Sequence, residues 1–367
     1  MLIESISLSD FRNYERFHIE DFGKLTVFIG QNGVGKTNVL EALQLLTSAS
    51  SFRHPQIINL VREGRKNGYA TLKAGDGSRS LSIELMLETG KRRYSVNGKA
   101  KSGADVRGRI PSVIFTPDDL QLVKGSSGAK RTALDDLGMQ LTRNYYVVRR
   151  DYEKTVRFKN RLLRDEASRD LIESINETLI TCGAQLFCLR AALFDRMVPI
   201  VSRVYAELSG GAEEFTALLR PSWERLSKSE SSESPTENPA EIRERLALEL
   251  ERWHHEERRR GRALVGPHAD EVLLMLEQRD ASMYASQGQQ RSIVLAWKMA
   301  EVETIRSILG VTPALLLDDV LSELDGSRRE MLVRFVTEEV QTFVTATDLD
   351  GFAEELLDRA KVVKLPL

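Results

Sequence analysis

Cysteine is nearly missing from this chain: Cys182 and Cys188 are the only two among 367 residues. Their placement suits neither a disulfide scaffold nor a paired metal or redox motif, so two reduced thiols in a cytoplasmic setting are expected. An excess of one charge is lacking too. Lys and Arg number 52, Asp and Glu 54, and the net charge is -2. A nucleic-acid partner would have to find a local basic face, because the global balance attracts nothing. Long hydrophobic runs are also scarce. No segment is expected to reach the length of a membrane span, and the opening MLIESISLSDF has neither the cationic start nor the apolar stretch of a signal peptide. No internal repeat is evident, and sustained heptads are too short for a long coiled coil.

What is there is an ordinary core-forming composition, 41% hydrophobic and 29% charged, enough for two domains or one large discontinuous one. The first part reads as strands. SISLS and RFHIE alternate, and KLTVFI is a short continuous apolar run that ends in glycine. LSIELMLE alternates again, and RYSV leads into an Asn97-Gly98 turn, which predicts antiparallel hairpins. From about Ser126 helical periodicity dominates, broken by the low-complexity acidic insert SKSESSESPTENPAE, read as a mobile connector. After Gly261 strands and helices alternate once more. The expectation is an α/β core made from both chain ends: residues 1–125 and 263–367, with a helical domain, 126–262, inserted between them.

GQNGVGKT, Gly30 to Thr37, fits G-x-x-x-x-G-K-[ST] and lies between a buried-strand pattern and a helix pattern. Glycines let successive amides turn inward around an anion with no Cβ in the way. The helix that follows aims its positive end at the same phosphates. Gly30, Gln31, Asn32, Gly33, Val34, Gly35, Lys36, Thr37 and Asn38 are the candidate nucleotide contacts. Lys36 would reach the β and γ phosphates, and the Thr37 hydroxyl would ligate Mg2+. PALLLDD supplies a strand buried on both faces that ends in Asp318-Asp319, where such sheets bind ligands. Asp318 would hold Mg2+ through water, and Asp319 would orient or deprotonate the attacking water. Lys36, Asp318 and Asp319 are therefore the candidate catalytic residues.

YASQGQQRS raises a separate question. Ser286 and Gln289 have capping-box spacing at the start of a helix, and Gly288 permits close approach. That makes a second anion site. One nucleotide does not need two such helix ends from one chain. The economical geometry is a homodimer in which the Ser286–Gly288 turn of one copy covers the γ-phosphate held by Gly30–Thr37 of the other.

Basic residues at Arg143, Arg150, Lys154, Arg157, Arg161 and Arg164 are spaced by three, four or seven, so a helix places them on one face. Leu141, Tyr145, Val148, Tyr152 and Leu162 form an apolar stripe beside it. A row of positive charge with only Asp151 and Glu153 among it suits a phosphate backbone. Arg150, Lys154, Arg157 and Arg161 are the candidate DNA contacts. A second basic cluster, Arg252 to Arg262, is interleaved with glutamates.

These motifs carry a family likeness. SQGQQR (Ser286, Gln287, Gly288, Gln289) resembles the signature loop of ABC-type ATPases, and LLLDDVLSELD resembles their Walker B strand and D-loop. Within that superfamily LSDFRNY, NGVGKTNVLEAL, FTPDDLQLVKGS, GPHADE, SQGQQR and LLLDDVLSELDGSRREML are similar, in the same order, to segments of the bacterial RecF proteins. The resemblance implies an ABC-type ATPase head, a mixed sheet with helices, carrying an inserted helical domain. It implies an ATP-dependent DNA-binding protein of recombinational repair with a weak, DNA-dependent ATPase. Such proteins dimerise on DNA when ATP binds and help load recombinase at single-strand gaps with RecO and RecR. It further implies that Arg12, Asp325 of the D-loop and Thr347 lie at the nucleotide.

Four departures stand out. Ser127, Lys130-Arg131 and Ala133 replace the family's usual proline, paired arginines and aromatic before Asp135. Asp319 stands where most ABC ATPases have Glu, one methylene longer, so slow hydrolysis is expected. Thr347 stands near the place of the switch histidine, and no glutamine is assigned to a Q-loop. The alternative is another SMC-like ATPase in a different DNA transaction, such as phage defence.

Overall fold

The computed structural model describes residues 1–88, 90–227, 238–321, 326–338, 340–349, 352 and 357–366. They form two compact units, Met1–Asp119 with Glu301–Leu367, and Leu120–Ala300.

The first unit holds two sheets. One is antiparallel throughout, in the order Tyr14–Glu20, Leu2–Phe11, Gly68–Gly75, Ser80–Glu88, Lys91–Val96, Lys99–Lys101. Its strands alternate buried and exposed residues, as a sheet with one wet face must. Asn97 and Gly98 turn the Lys91–Lys101 hairpin with φ of 48° and 73°, the left-handed pair that a two-residue hairpin loop requires. The second sheet is parallel, in the order Ala360–Lys364, Leu25–Ile29, Thr342–Ala346, Ala314–Asp318, Ser112–Phe115. Its central strands, LTVFI, TFVTA and ALLLD, are buried almost without interruption. The helix Lys36–Ser48 contacts strands of both sheets. Its Leu40 and Leu43 join Phe11, Phe28, Leu316 and Phe343 in one fully buried cluster. At about 1.5–3 kcal/mol for each large side chain removed from water, this core sets the position of the helix firmly.

The second unit is mainly helical: Ser127–Leu141, Arg143–Arg164, Arg169–Ser209, Pro239–Arg252 and His254–Arg260 are its chief helices. It also contains a sheet in the order Arg279–Asp280, Glu271–Leu276, Phe215–Arg220. This differs from the boundaries read in the sequence. The return strand EVLLML was assigned to the α/β core beginning at residue 263, yet it pairs antiparallel with Phe215–Arg220 and belongs to the helical unit. Phe215, Ala217 and Leu219 are buried in alternation, a six-residue strand signal overshadowed by the helical periodicity before it. The unit boundary falls at Ala300, inside the helix Gln287–Leu309.

One expectation needs correction. The 41-residue helix Arg169–Ser209 contains an 18-residue window of mean hydropathy 1.2, long and apolar enough to cross a membrane by those measures. Half of that window is buried within the protein, and Arg190 on the same helix is ion-paired to Asp135 and Asp270. Those are the properties of a core helix.

Candidate phosphate-binding site

The cradle joins the strand Leu25–Ile29 to the helix Lys36–Ser48. Two of its glycines are required by space and by backbone angle. Gly30 has φ 157°, and a Cβ there would lie 2.6 Å from the Leu365 carbonyl oxygen. Gly35 has φ 111°, and its Cβ would lie 2.7 Å from Asn13 Nδ2 and 2.8 Å from the Tyr14 hydroxyl. No side chain caps the helix at Gly35, and although the Asn38 amide bonds to the Gly35 carbonyl at 2.8 Å, the amides of Lys36 and Thr37 at the helix start can meet an anion. Gln31, Asn32 and Gly33 are exposed at the tip of the loop. Lys36 Nζ is folded back inside it, donating to the carbonyls of Gly30 at 2.5 Å and Gln31 at 3.1 Å.

Thr37 Oγ1 donates to Asp318 Oδ1 at 2.8 Å. This bond joins the cradle to the end of the strand Ala314–Asp318. Thr345 Oγ1, on the neighbouring strand and in register with Asp318, donates to the same oxygen at 2.8 Å. Burial raises the Asp318 pKa against the pull of these two hydroxyls. Asp319 turns the chain in the left-handed region, φ 53°, with its amide bonded to Thr345 Oγ1 at 3.0 Å. Thr345 was passed over in the sequence. Thr347 is exposed at the strand end, and its hydroxyl bonds to Asp348.

Arg12 is paired rather than open. Its Nε and one terminal nitrogen donate to the two Glu41 oxygens, both at 2.8 Å, and the other terminal nitrogen donates to the Asn59 carbonyl. Glu41 is fully buried on the cradle helix and also accepts from Ser51 Oγ at 2.5 Å. Asn38 Nδ2 donates to Asn13 Oδ1, and Asn13 Nδ2 donates to the Val34 carbonyl. Arg53 reaches Asn38 Oδ1 at 2.8 Å, and its charge acts on Asp318. These residues brace the loop from outside. Glu41 and Arg53 were missed, although Glu41 lies inside the quoted NVLEAL. Asp325 lies outside the described residues.

In the helical unit the capping box at Ser286 is formed. Gln289 Oε1 accepts from the Ser286 amide at 2.6 Å, and Ser286 Oγ accepts from the Gln289 amide at 3.3 Å. Gln289 Nε2 donates to Glu213 Oε1 at 2.5 Å, while the Tyr205 hydroxyl donates to Glu213 Oε2 at 2.6 Å. An acceptor-only carboxylate thus orients the Gln289 amide so that its oxygen faces Ser286. Ser286 and Gln287 are exposed, and so are the apolar side chains of Met283 and Tyr284 just before them.

The basic helix Arg143–Arg164 keeps Arg150, Lys154, Arg157 and Arg161 exposed. Arg150 pairs with Asp151 at 2.7 Å and Arg157 with Glu153 at 3.6 Å. Lys154 and Arg161 have no acid in ion-pairing range among the described residues. Two further bases on this helix turn inward. Arg149 pairs with Asp135, Asp136 and Glu153, and Lys159 is fully buried 2.5 Å from Glu257. Counting apolar residues alone conceals them. The second basic cluster is largely self-neutralised, since Arg259 and Arg260 both bind Glu256.

Residues 2–364 match the family described as RecF/RecN/SMC N terminal domain. The chain is 38% identical over 355 residues to the DNA replication and repair protein RecF of Symbiobacterium thermophilum, covering 95% of this chain and 92% of that one. It is 34% identical over 374 residues to RecF of Gloeobacter violaceus, covering 100% and 97%. The solved structure of the recombination mediator protein RecF with ATP in the RecFOR pathway superposes with a TM-score of 0.86 at 28% identity, covering 96% of this chain and 93% of that one. The Smc head domain of Pyrococcus furiosus superposes at 0.53 with 16% identity, a likeness of fold alone.

Proposed function

Because this chain belongs to the RecF family of ABC/SMC-type ATPases, we propose that it is an ATP-driven DNA clamp of recombinational repair, closing as a homodimer on DNA at single-strand gaps. RecO and RecR are its proposed partners, and recombinase loading its proposed outcome. The observation that carries the reading is the bond from Thr37 Oγ1 to Asp318 Oδ1, 2.8 Å across 281 residues of chain. It places a hydroxyl and a carboxylate at one point beside the cradle, an all-oxygen pair that fits Mg2+. No group of three or more His, Cys, Asp or Glu suited to a metal occurs among the described residues, and Mg2+ bound largely by water and phosphate needs none.

In this mechanism the cradle amides and Lys36 hold the triphosphate, Lys36 exchanging two loop carbonyls for phosphate oxygens. Mg2+, held by Thr37 and Asp318, would neutralise charge on the β and γ phosphates. Asp319 orients the attacking water, and its short side chain makes hydrolysis slow, so ATP acts as a timer. Ser286, Gln287, Gly288 and Gln289 of one copy close over the γ-phosphate of the other, with the exposed Met283 and Tyr284 beside the joint. Arg150, Lys154, Arg157 and Arg161 meet the DNA backbone. Arg12, Asn38, Asp325 and Thr347 complete the proposed nucleotide surroundings, Arg12 acting through Glu41.

Light scattering with ATP, Mg2+ and gapped DNA tests the clamp. The wild-type chain is expected to double its mass and Lys36→Met to remain monomeric. A wild-type chain that stays monomeric overturns the proposal. Ser286→Arg should bind ATP as a monomer and fail to dimerise.

A further inference from the structure

The helical unit contains a cavity of about 270 Å³ between the helices Ser127–Leu141, Arg143–Arg164 and Arg169–Ser209. Six charged residues line it: Arg131, Arg149, Arg157 and Arg190 against Asp135 and Glu153. Both carboxylates are already engaged. Asp135 grips Arg190 through two bonds of 3.0 Å and accepts from the Tyr145 hydroxyl at 2.7 Å. Glu153 lies 3.0 Å from Arg149 and 3.6 Å from Arg157. Arg131 differs from the other three. Its guanidinium donates to the backbone carbonyl of Asp270, and no carboxylate lies in ion-pairing range of it among the described residues.

An arginine keeps its proton whatever its surroundings. Asp270 and Asp135 act on Arg131 from beyond ion-pairing range, so this half-buried arginine is a charge withdrawn from water and only partly compensated. Burial and the nearby Arg190 lower the Arg131 pKa against the pull of Asp270 and Asp135. The planar guanidinium fork matches phosphate and carboxylate oxygens. The size of the cavity narrows the occupant. It lies below the range of about 300–1,000 Å³ typical of whole small-molecule ligands, yet has room for several waters at roughly 30 Å³ each. It suits one anionic group of a larger partner. The rim indicates the partner. Arg157 lines the cavity while its side chain remains 69% exposed, and it belongs to the row Arg150, Lys154, Arg157, Arg161 that faces solvent on the same helix.

We propose that this cavity is a phosphate-binding site in which Arg131 holds one backbone phosphate of a DNA strand running along that row. The site rests on the DNA-binding reading for its source of phosphate but not for its chemistry. It ties the strand to the helix that follows the quoted FTPDDLQLVKGS, a segment for which the nucleotide mechanism has no use.

Two measurements on the full chain test it. The first titrates the wild-type protein with inorganic phosphate and follows the arginine Nε–Hε NMR signals, the Arg131 signal being identified by its loss in Arg131→Lys. A saturating shift of that signal is expected, and its absence overturns the anion site whether or not the protein binds DNA. The second measures DNA affinity against salt with ATP and Mg2+ for wild type, Arg131→Gln and Arg131→Lys. Loss of one phosphate contact should reduce the slope of log K against log salt by about one in Arg131→Gln, with Arg131→Lys close to wild type. A shifted signal with an unchanged slope overturns the DNA assignment and leaves a free anion or an acidic protein segment as occupant. A slope that falls equally in both variants assigns Arg131 to packing alone and overturns the contact. Should Arg131→Gln unfold, the wild-type titration decides the anion site, and repeating it with gapped DNA bound decides the contact, which is overturned if phosphate still shifts the Arg131 signal. A wild-type chain with a shifted Arg131 signal and no DNA affinity sinks the clamp and the DNA source together, leaving the anion site standing.

Discussion

His268 and Asp270 titrate in opposite senses, and replacing either should tilt the pH dependence of stability in a calculable direction. His268 is enclosed in the helical unit, with Nδ1 2.7 Å from the Tyr152 hydroxyl and Nε2 3.2 Å from the Ala263 carbonyl. Burial, reinforced by Lys159, Arg131 and Arg190, lowers its pKa to about 4. Asp270 accepts from the Ser222 amide at 2.9 Å and faces Arg190 at 3.3 Å, yet burial raises its pKa to about 6 against their pull. As pH falls below the ordinary histidine value, the unfolded chain takes a proton that folded His268 refuses, so stability is lost. Between pH 7 and pH 5 this loss is about 2 kcal/mol, at 1.36 kcal/mol per pH unit. Over the same interval folded Asp270 takes a proton that the unfolded chain does not, and stability rises by about 1 kcal/mol. The wild-type protein should therefore lose about 1 kcal/mol or less between pH 7 and pH 5. Relative to wild type over that step, His268→Gln should keep about 2 kcal/mol more stability and Asp270→Asn about 1 kcal/mol less. Urea unfolding followed by tryptophan fluorescence reads this directly, because Trp223 and Trp297 are buried in the same unit. Contributions such as that of His254, also lowered by burial, are common to all three proteins and cancel in the comparison. If His268→Gln loses as much stability on acidification as the wild type, the assignment of opposing titrations is wrong.

Gly30→Ala should abolish nucleotide binding and lower the melting temperature, since its Cβ would meet a backbone oxygen at 2.6 Å; normal binding of a fluorescent ATP analogue would refute that packing. Thr37→Val removes the hydroxyl that bonds to Asp318. It should bind the same analogue without Mg2+ as well as wild type but lose the gain that Mg2+ brings, with turnover falling by at least tenfold, as equilibrium titration and phosphate release would show. Glu213→Ala leaves the Gln289 amide and the Tyr205 hydroxyl without their shared acceptor. A lost hydrogen bond of about 1 kcal/mol should weaken ATP-dependent dimerisation by roughly five- to tenfold. Sedimentation would record this with monomer nucleotide binding unchanged, whereas wild-type dimerisation would show that Glu213 has no part in presenting the signature turn.

The phosphate cradle, the Asp318-Asp319 strand and the capped turn at Ser286 were legible as sequence because each depends on neighbours within a few residues. Glycine angles, an amphipathic period and an N-cap are local properties, and eight residues suffice to specify them. The α/β character was legible for the same reason, since continuous apolar strands and alternating ones differ in pattern. Side-chain partners were not. Thr345 reaches Asp318 only because two parallel strands lie in one register, and nothing in TFVTATD distinguishes it from Thr347. Glu213 orients Gln289 from 76 residues away. Nothing in the spacing of Arg149 and Lys159 marks them as inward-facing until Asp135 and Glu257 are brought against them. The strand Glu271–Leu276 is plain as a strand, but its edge-to-edge partner, Phe215–Arg220, places it in the helical unit. A sequence by itself determines where a backbone can turn and which face it must bury. Which acid meets which base is decided when distant segments pack, because ion pairing and strand register depend on separations through space that chain spacing does not encode.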